Sequence, residues 1–151
     1  MTPTGVPPWR LRDASDGDHE WAFELHRAAL GEYIKRTWGW DEVLQQRLFA
    51  EAFEREPGHI IQVADRDVGI LVVEEHPEEL YLRRLELLPK SQNQGLGTDI
   101  VRWLLKRAAG TGRPLSLHVL RANPRAAALY EREGLQTVET DQNRLLMRTE
   151  T

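Results

Sequence analysis

The sequence predicts one mixed α/β (α+β) domain in which a mostly antiparallel sheet is flanked by helices. Three observations carry that reading. Short apolar runs rich in Val, Ile and Leu read as strands, whereas other segments repeat their apolar residues at helical spacing. Pro and Gly punctuate the segments, with no internal repeat, low-complexity tract or linker. The chain has 151 residues, the length of one domain, and is 40% hydrophobic and 29% charged, as ordinary globular proteins are.

Residues 1–8 hold three prolines and a glycine, so an irregular tail is expected there, with the domain spanning 9–151 and opening on a strand around Trp9 to Arg12. Ser15 and Asp18 are spaced as a capping pair, and Trp21, Leu25, Ala28 and Ala29 then repeat as one face of a first helix. After a break at Thr37 to Trp40, Asp41 caps a second helix whose Leu44, Leu48 and Ala52 share a face, ending before Pro57-Gly58. Ile60 to Ala64 and Val68 to Val73 read as a hairpin turned at Asp65-Arg66-Asp67, and Leu80 to Leu88 as a strand closed by Pro89. Leu96, Ile100, Val101, Leu104, Leu105 and Ala108 form one apolar stripe, a helix that Gly110, Gly112 and Pro114 terminate. Leu115 to Leu120 is a strand, Asn123-Pro124 opens a last helix running to Gly134, and Leu135 to Glu139 with Arg144 to Arg148 make a closing hairpin. The expected order is β-α-α-β-β-β-α-β-α-β-β.

Composition excludes several classes. A formal charge of −4 with scattered basic residues leaves no footprint for nucleic acid. Zero cysteines rule out disulfides, thiolate metal sites and a cysteine nucleophile, and no metal is expected. No apolar run reaches the roughly 18 residues of a membrane span, and the opening MTPTGVPPWR lacks a signal-peptide core, so a cytoplasmic protein is expected.

The informative segment is LLPKSQNQGLGTDIV, Leu87 to Val101, where a strand ends at proline and Gly95-Leu96-Gly97 opens a helix. Glycine admits close backbone approach, and the first N–H groups of a helix lack internal partners, so such a turn can cradle phosphate. Plain turn chemistry produces the same pattern. No Lys-Ser/Thr follows Gly97 and no third glycine completes a dinucleotide turn, which excludes two familiar nucleotide motifs. In HVLRANPRAAALYEREGL, Tyr130 follows Asn123 by seven residues, nearly two helical turns, so both share a face with Ala126 between them. Alone, these could be an N-cap and a core aromatic.

Together the two segments resemble the GNAT superfamily, the Gcn5-related N-acetyltransferases. Its Q/R-x-x-G-x-G/A signature stands here as Gln92-Asn93-Gln94-Gly95-Leu96-Gly97, and its Asn-x-x-Ala-x-x-x-Tyr segment as Asn123, Ala126 and Tyr130. The resemblance implies acetyl transfer from acetyl-CoA to an amine, small-molecule or peptide, by direct attack in a ternary complex, with the protein a monomer or homodimer. The alternative is a non-catalytic acyl-CoA-binding or regulatory module of the same fold. It further implies that the pantetheine arm lies in a splay between strands against the backbone of Leu87 and Leu88. The pyrophosphate would sit on the amides of Asn93 to Thr98, Asn123 would bond the pantetheine, and the Tyr130 hydroxyl would meet the sulfur. Gln94 departs from the pattern, which often has a cation there.

For the base that frees the amine, Glu86 is the first candidate, then His118, with water the remaining option. Tyr33, Trp38 and Trp40 in EYIKRTWGWDE offer aromatic walls for an amine or simply pack a helix joint. Glu74, Glu75, Glu78 and Glu79 could attract a cationic acceptor or form a solvated face.

Overall fold

A computed structural model describes residues 8–150; the expected tail therefore lies outside the described residues apart from Pro8, as does residue 151. The strands are β1 (Arg10–Asp13), β2 (His59–Val63), β3 (Arg66–Glu75), β4 (Leu80–Leu87), β5 (Leu115–Leu120), β6 (Gln136–Thr140) and β7 (Arg144–Arg148). The helices are α1 (His19–Trp38), α2 (Glu42–Arg55), α3 (Leu96–Gly110) and α4 (Pro124–Arg132), in the order along the chain that the sequence predicts. The strands form one seven-stranded sheet, ordered β1-β2-β3-β4-β5-β7-β6. Every pairing is antiparallel except β4 with β5, between which α3 makes the crossover that a parallel pair requires.

Period-two alternation sends neighbouring residues to opposite faces. Ile60 and Ile70 pack with α1 and α2 on one face, while Ile61 and Leu71 join α3 and the half-buried Ala126, Ala127 and Tyr130 of α4 on the other. Among the described residues no helix is long and apolar enough to cross a membrane.

Three local readings are corrected. On α2, Leu44 and Leu48 face outward at 37% and 47% exposure, and Phe49 and Phe53 are the buried residues; two adjacent stripes compete, and the larger aromatic area goes inside. On α1 the inner stripe is Ala22, Leu25, His26 and Ala29, with Ala28 exposed. The β2–β3 turn is the pair Ala64-Asp65, both at positive φ (50° and 65°), so Val63 pairs with Arg66, β2 lies one residue earlier than the sequence implies and β3 is longer at both ends.

One irregularity shapes the site. Val72 pairs with Arg84 but Val73 with Leu82, leaving Arg83 as an extra residue on β4. Such a bulge bends its strand and increases the twist. Pairing with β5 covers only Leu80↔Leu115, Tyr81↔Ser116 and Leu82↔Leu117, and it ends at this bulge. Beyond it the two strands part.

Candidate active site

A cleft of about 560 Å³ opens where β4 leaves β5, between Leu85–Leu87, the turn into α3, the inner face of α4, and Ala29, Leu30 and Tyr33 of α1. Its backbone is set by the ladder. The Leu88 N–H donates to Val68 O at 2.9 Å, and alternate residues of an antiparallel strand face the same partner. Leu87 therefore turns its N–H and C=O away from β3, towards the gap left by β5. The Gln92 side chain donates to the Leu87 carbonyl at 3.0 Å and braces the loop across it.

The loop reaches α3 through left-handed residues, Asn93 at φ 63° and Gly95 at φ 83°. The first helical bond is Asp99 N–H to Gly95 O, so the N–H groups of Leu96, Gly97 and Thr98 have no partner within the helix. A Cβ on Gly97 would meet nothing nearer than Leu87 Cδ1 at 3.8 Å, so the protein's own packing does not demand glycine there. What the missing side chain leaves is room on the cleft wall beside those amides, which fits a phosphate group. Asp99, the acid of that turn, is tied to Trp9 Nε1 at 2.6 Å.

Asn123 is buried, caps α4 by accepting the Ala126 N–H at 3.2 Å, and lines the cleft with Ala126 and Tyr130. Burial, and secondly the charge of Glu86, push the Tyr130 hydroxyl up to about 12, so it stays protonated at neutral pH. Glu86 is 4% exposed and also lines the cleft. Its Oε2 lies 2.9 Å from His26 Nδ1, and Oε1 is buried without a partner among the described residues. Burial alone would raise this carboxyl; His26 and Arg84 more than offset it and hold it below the ordinary carboxylate value.

Other expected residues lie elsewhere. Leu88 packs against the α1–α2 cluster, Leu96 is buried in the α3 core, and the Gln94 side chain caps Lys90 O at 3.0 Å. Tyr33 is the exception among the three expected acceptor aromatics and lines the cleft. Trp38 is 58% exposed beside the β6–β7 turn, and Trp40 packs among Phe23, His26 and the Arg27 guanidinium. His118 is exposed as a residue, but its ring, hydrogen-bonded to Tyr81, is partly desolvated, which with the charge of Arg144 holds it below its ordinary value; it faces a separate surface depression. Glu74 pairs with Arg83, Glu75 with Arg107 and Arg113, and Glu79 with Arg148, so much of the acidic run is engaged in ion pairs at the opposite end of β4. Among the described residues no group of three or more His, Asp or Glu is placed to hold a metal.

Residues 20–135 match the acetyltransferase (GNAT) family. The chain belongs to this family. GNAT membership carries the reaction class, N-acetyl transfer with acetyl-CoA as donor. Solved GNAT-type structures share the fold. The PaiA N-acetyltransferase of Thermoplasma acidophilum, in complex with coenzyme A, is 17% identical over 95% of this chain and 99% of its own, with a TM-score of 0.72. An acetyltransferase from Thermus thermophilus is 17% identical over 96% and 98%, with a TM-score of 0.74. The ribosomal-protein-S18-alanine N-acetyltransferase of Escherichia coli is 19% identical over 94% and 93%, with a TM-score of 0.68. Comparison with curated proteins by sequence returned no match.

Sequence reasoning missed His26, Arg84 and the cations Arg125 and Arg132 on the cleft's α4 rim. His26 had a signal: it sits one position beyond Leu25 on the inner stripe of α1, where a polar residue needs a partner.

Proposed function

We propose that this GNAT chain acetylates a primary amine by direct attack on acetyl-CoA held in the cleft, with Glu86 and Tyr130 as its proton-handling groups. The observation that carries this is the convergence of three independent segments on one cleft: the free amides of the first turn of α3, the Tyr130 phenol, and the unpartnered Oε1 of Glu86. The amides of Leu96 to Thr98 receive the pyrophosphate, and Arg125 and Arg132 supply charge that Gln94 lacks. Asn123 bonds the pantetheine arm. The Leu87 N–H, turned into the gap, donates to the thioester oxygen as it becomes negative.

The amine meets Glu86 as an ammonium, since a lysine-like group of pKa about 10.4 is charged at neutral pH. Nitrogen sheds two protons in turn: the first leaves before attack and exposes the lone pair, and the second leaves as the C–N bond forms and the C–S bond breaks. Glu86 passes one to water; the other replaces the proton that Tyr130 donates to the leaving thiolate, so both groups end as they began. A carboxylate below its ordinary value is a weak base towards a free ammonium, so the first proton is relayed past Glu86 to water in an uphill pre-equilibrium, whereas the second leaves readily because nitrogen becomes strongly acidic once it has attacked. Tyr33, with Leu30 and Ala29, forms the acceptor wall.

The test is coenzyme A thiol release from acetyl-CoA over a panel of primary amines and peptides. At least one amine should be acetylated with saturation in both substrates. Tight acetyl-CoA binding with no acetylation of any amine would instead leave a non-catalytic acyl-CoA-binding module.

A further inference from the structure

Glu86 makes one contact that acetyl transfer as described does not use. Its Oε2 is taken by Nδ1 of His26, which is itself 8% exposed and lies on α1, 60 residues earlier in the chain. Its Oε1 is buried, unpartnered among the described residues, and belongs to a side chain on the cleft wall. A buried carboxylate oxygen without a donor is unfavourable, so this asymmetry points to a donor arriving through the cleft. The imidazole is fixed in turn: Phe23, Trp40 and Phe49 surround it at ring-centroid distances of 6.4, 6.5 and 5.3 Å. Trp40 thus stands behind His26 rather than on the cleft.

We infer that His26 is the positioning residue of the acceptor site: by donating Nδ1–H to Oε2 it fixes the carboxylate so that Oε1 faces the acceptor's ammonium. This rests on the reading of Glu86 as the acceptor's partner. The charged and titratable groups facing Glu86 are His26 from α1, Arg84 from β4 with Nε at 4.0 Å, and Tyr130 from α4; α2 contributes Phe49, on which Arg84 is stacked at 4.7 Å. Burial drives the carboxyl up, and His26 is the chief opponent. Without its donor, burial prevails and Glu86 loses both its orientation and its charge at mildly acidic pH.

The test uses the full chain with His26→Leu, His26→Gln and His26→Asn, Asn keeping an N–H near the place of Nδ1. Two quantities are measured: the acid limb of the pH profile of kcat/KM for an accepted amine at saturating acetyl-CoA, and the titration of the Glu86 carboxyl by carbon-13 NMR, assigned with Glu86→Gln. In His26→Leu both should move upward by about one pH unit or more, with kcat/KM roughly tenfold lower on the acid limb, below both titrations, and the acetyl-CoA Kd unchanged. His26→Asn, which keeps a hydrogen-bond donor but not the imidazole's charge, should fall between the parent and His26→Leu, with His26→Gln closer to Leu, which supplies the comparison if the Leu variant does not fold. An unmoved Glu86 titration, or an Asn variant shifted as far as Leu, overturns the inference. If the parent acetylates no amine, the functional reading fails separately, while the NMR titration still decides whether His26 holds Glu86.

Discussion

The two walls of the cleft are built by different means. The wall from Leu87 through the turn into α3 works with backbone: a carbonyl braced by Gln92, amides left free by helix geometry, and a glycine whose missing side chain leaves space. The opposite wall works with side chains from distant segments, His26 on α1 and Glu86 on β4, brought together only when α1 packs on the sheet. One wall is a local motif and the other a tertiary coincidence. Damage to the first should be read in acetyl-CoA binding, and damage to the second in acceptor kinetics.

Tyr130 stands where the walls meet, and its loss should be the largest effect. Tyr130→Phe should lower kcat by about 10² to 10⁴ with little change in acetyl-CoA Kd, because a proton to the thiolate is needed only as the bond breaks. Steady-state kinetics beside calorimetric binding separates this from a packing role, in which Kd and Tm would move instead.

Next is the backbone wall. Gly95→Val places a β-branched residue at φ 83°, and the acetyl-CoA Kd should rise about a hundredfold, roughly 2.7 kcal/mol. Gly97→Val is the sharper probe, since its added Cβ meets only ordinary contact within the protein. Its Tm should stay near the parent's while acetyl-CoA binding weakens; parental Kd in a folded Gly97→Val protein would misplace the cradle.

That contrast explains what the sequence discloses. That the glycine turn into α3, Asn123 and Tyr130 stand on a common surface was legible because spacing within one loop or one helix fixes their geometry. The bulge at Arg83 was not, since it exists only in the register between β3 and β4, and the gap that opens the cleft follows from it. Nor could spacing show that His26 meets Glu86, or that Phe49 and Phe53 displace Leu44 and Leu48 from the inner face of α2. The Trp-Gly-Trp segment illustrates the limit: one pattern contains an exposed Trp38 and a packed Trp40, and only Tyr33, five residues before Trp38, reaches the cleft.

The acceptor wall therefore predicts a smaller, divided effect. Tyr33→Leu should raise the acceptor KM about three- to tenfold and leave the acetyl-CoA KM alone, as lost uniform binding does. Trp38→Leu should change neither, and Trp40→Leu should cost stability of about 1 to 2 kcal/mol in urea unfolding. An acceptor KM that responds to Trp38 but not Tyr33 would move the acceptor to the β6–β7 side.

The smallest effect concerns how α1 is mounted on the sheet. Arg12 bonds both Asp18, at the start of α1, and Asp67 on β3, and chiefly through Arg12 the Asp18 carboxyl is lowered from 3.8 to about 2. Because the folded value lies under the unfolded one, this contribution is complete above about pH 4 and is lost as pH falls through about 2. Arg12→Ala should remove on the order of 1 to 2 kcal/mol of stability at pH 6 and flatten the loss between pH 4 and pH 2, followed by urea unfolding.

The most direct test of the two-wall account is Glu86→Gln, assayed for acetyl-CoA binding and for acetylation of an accepted amine in the same preparation. The account predicts a parental acetyl-CoA Kd with amine kcat/KM lower by about 10² or more. Parental turnover in a folded Glu86→Gln protein, or loss of acetyl-CoA binding with turnover falling only in proportion, would contradict it.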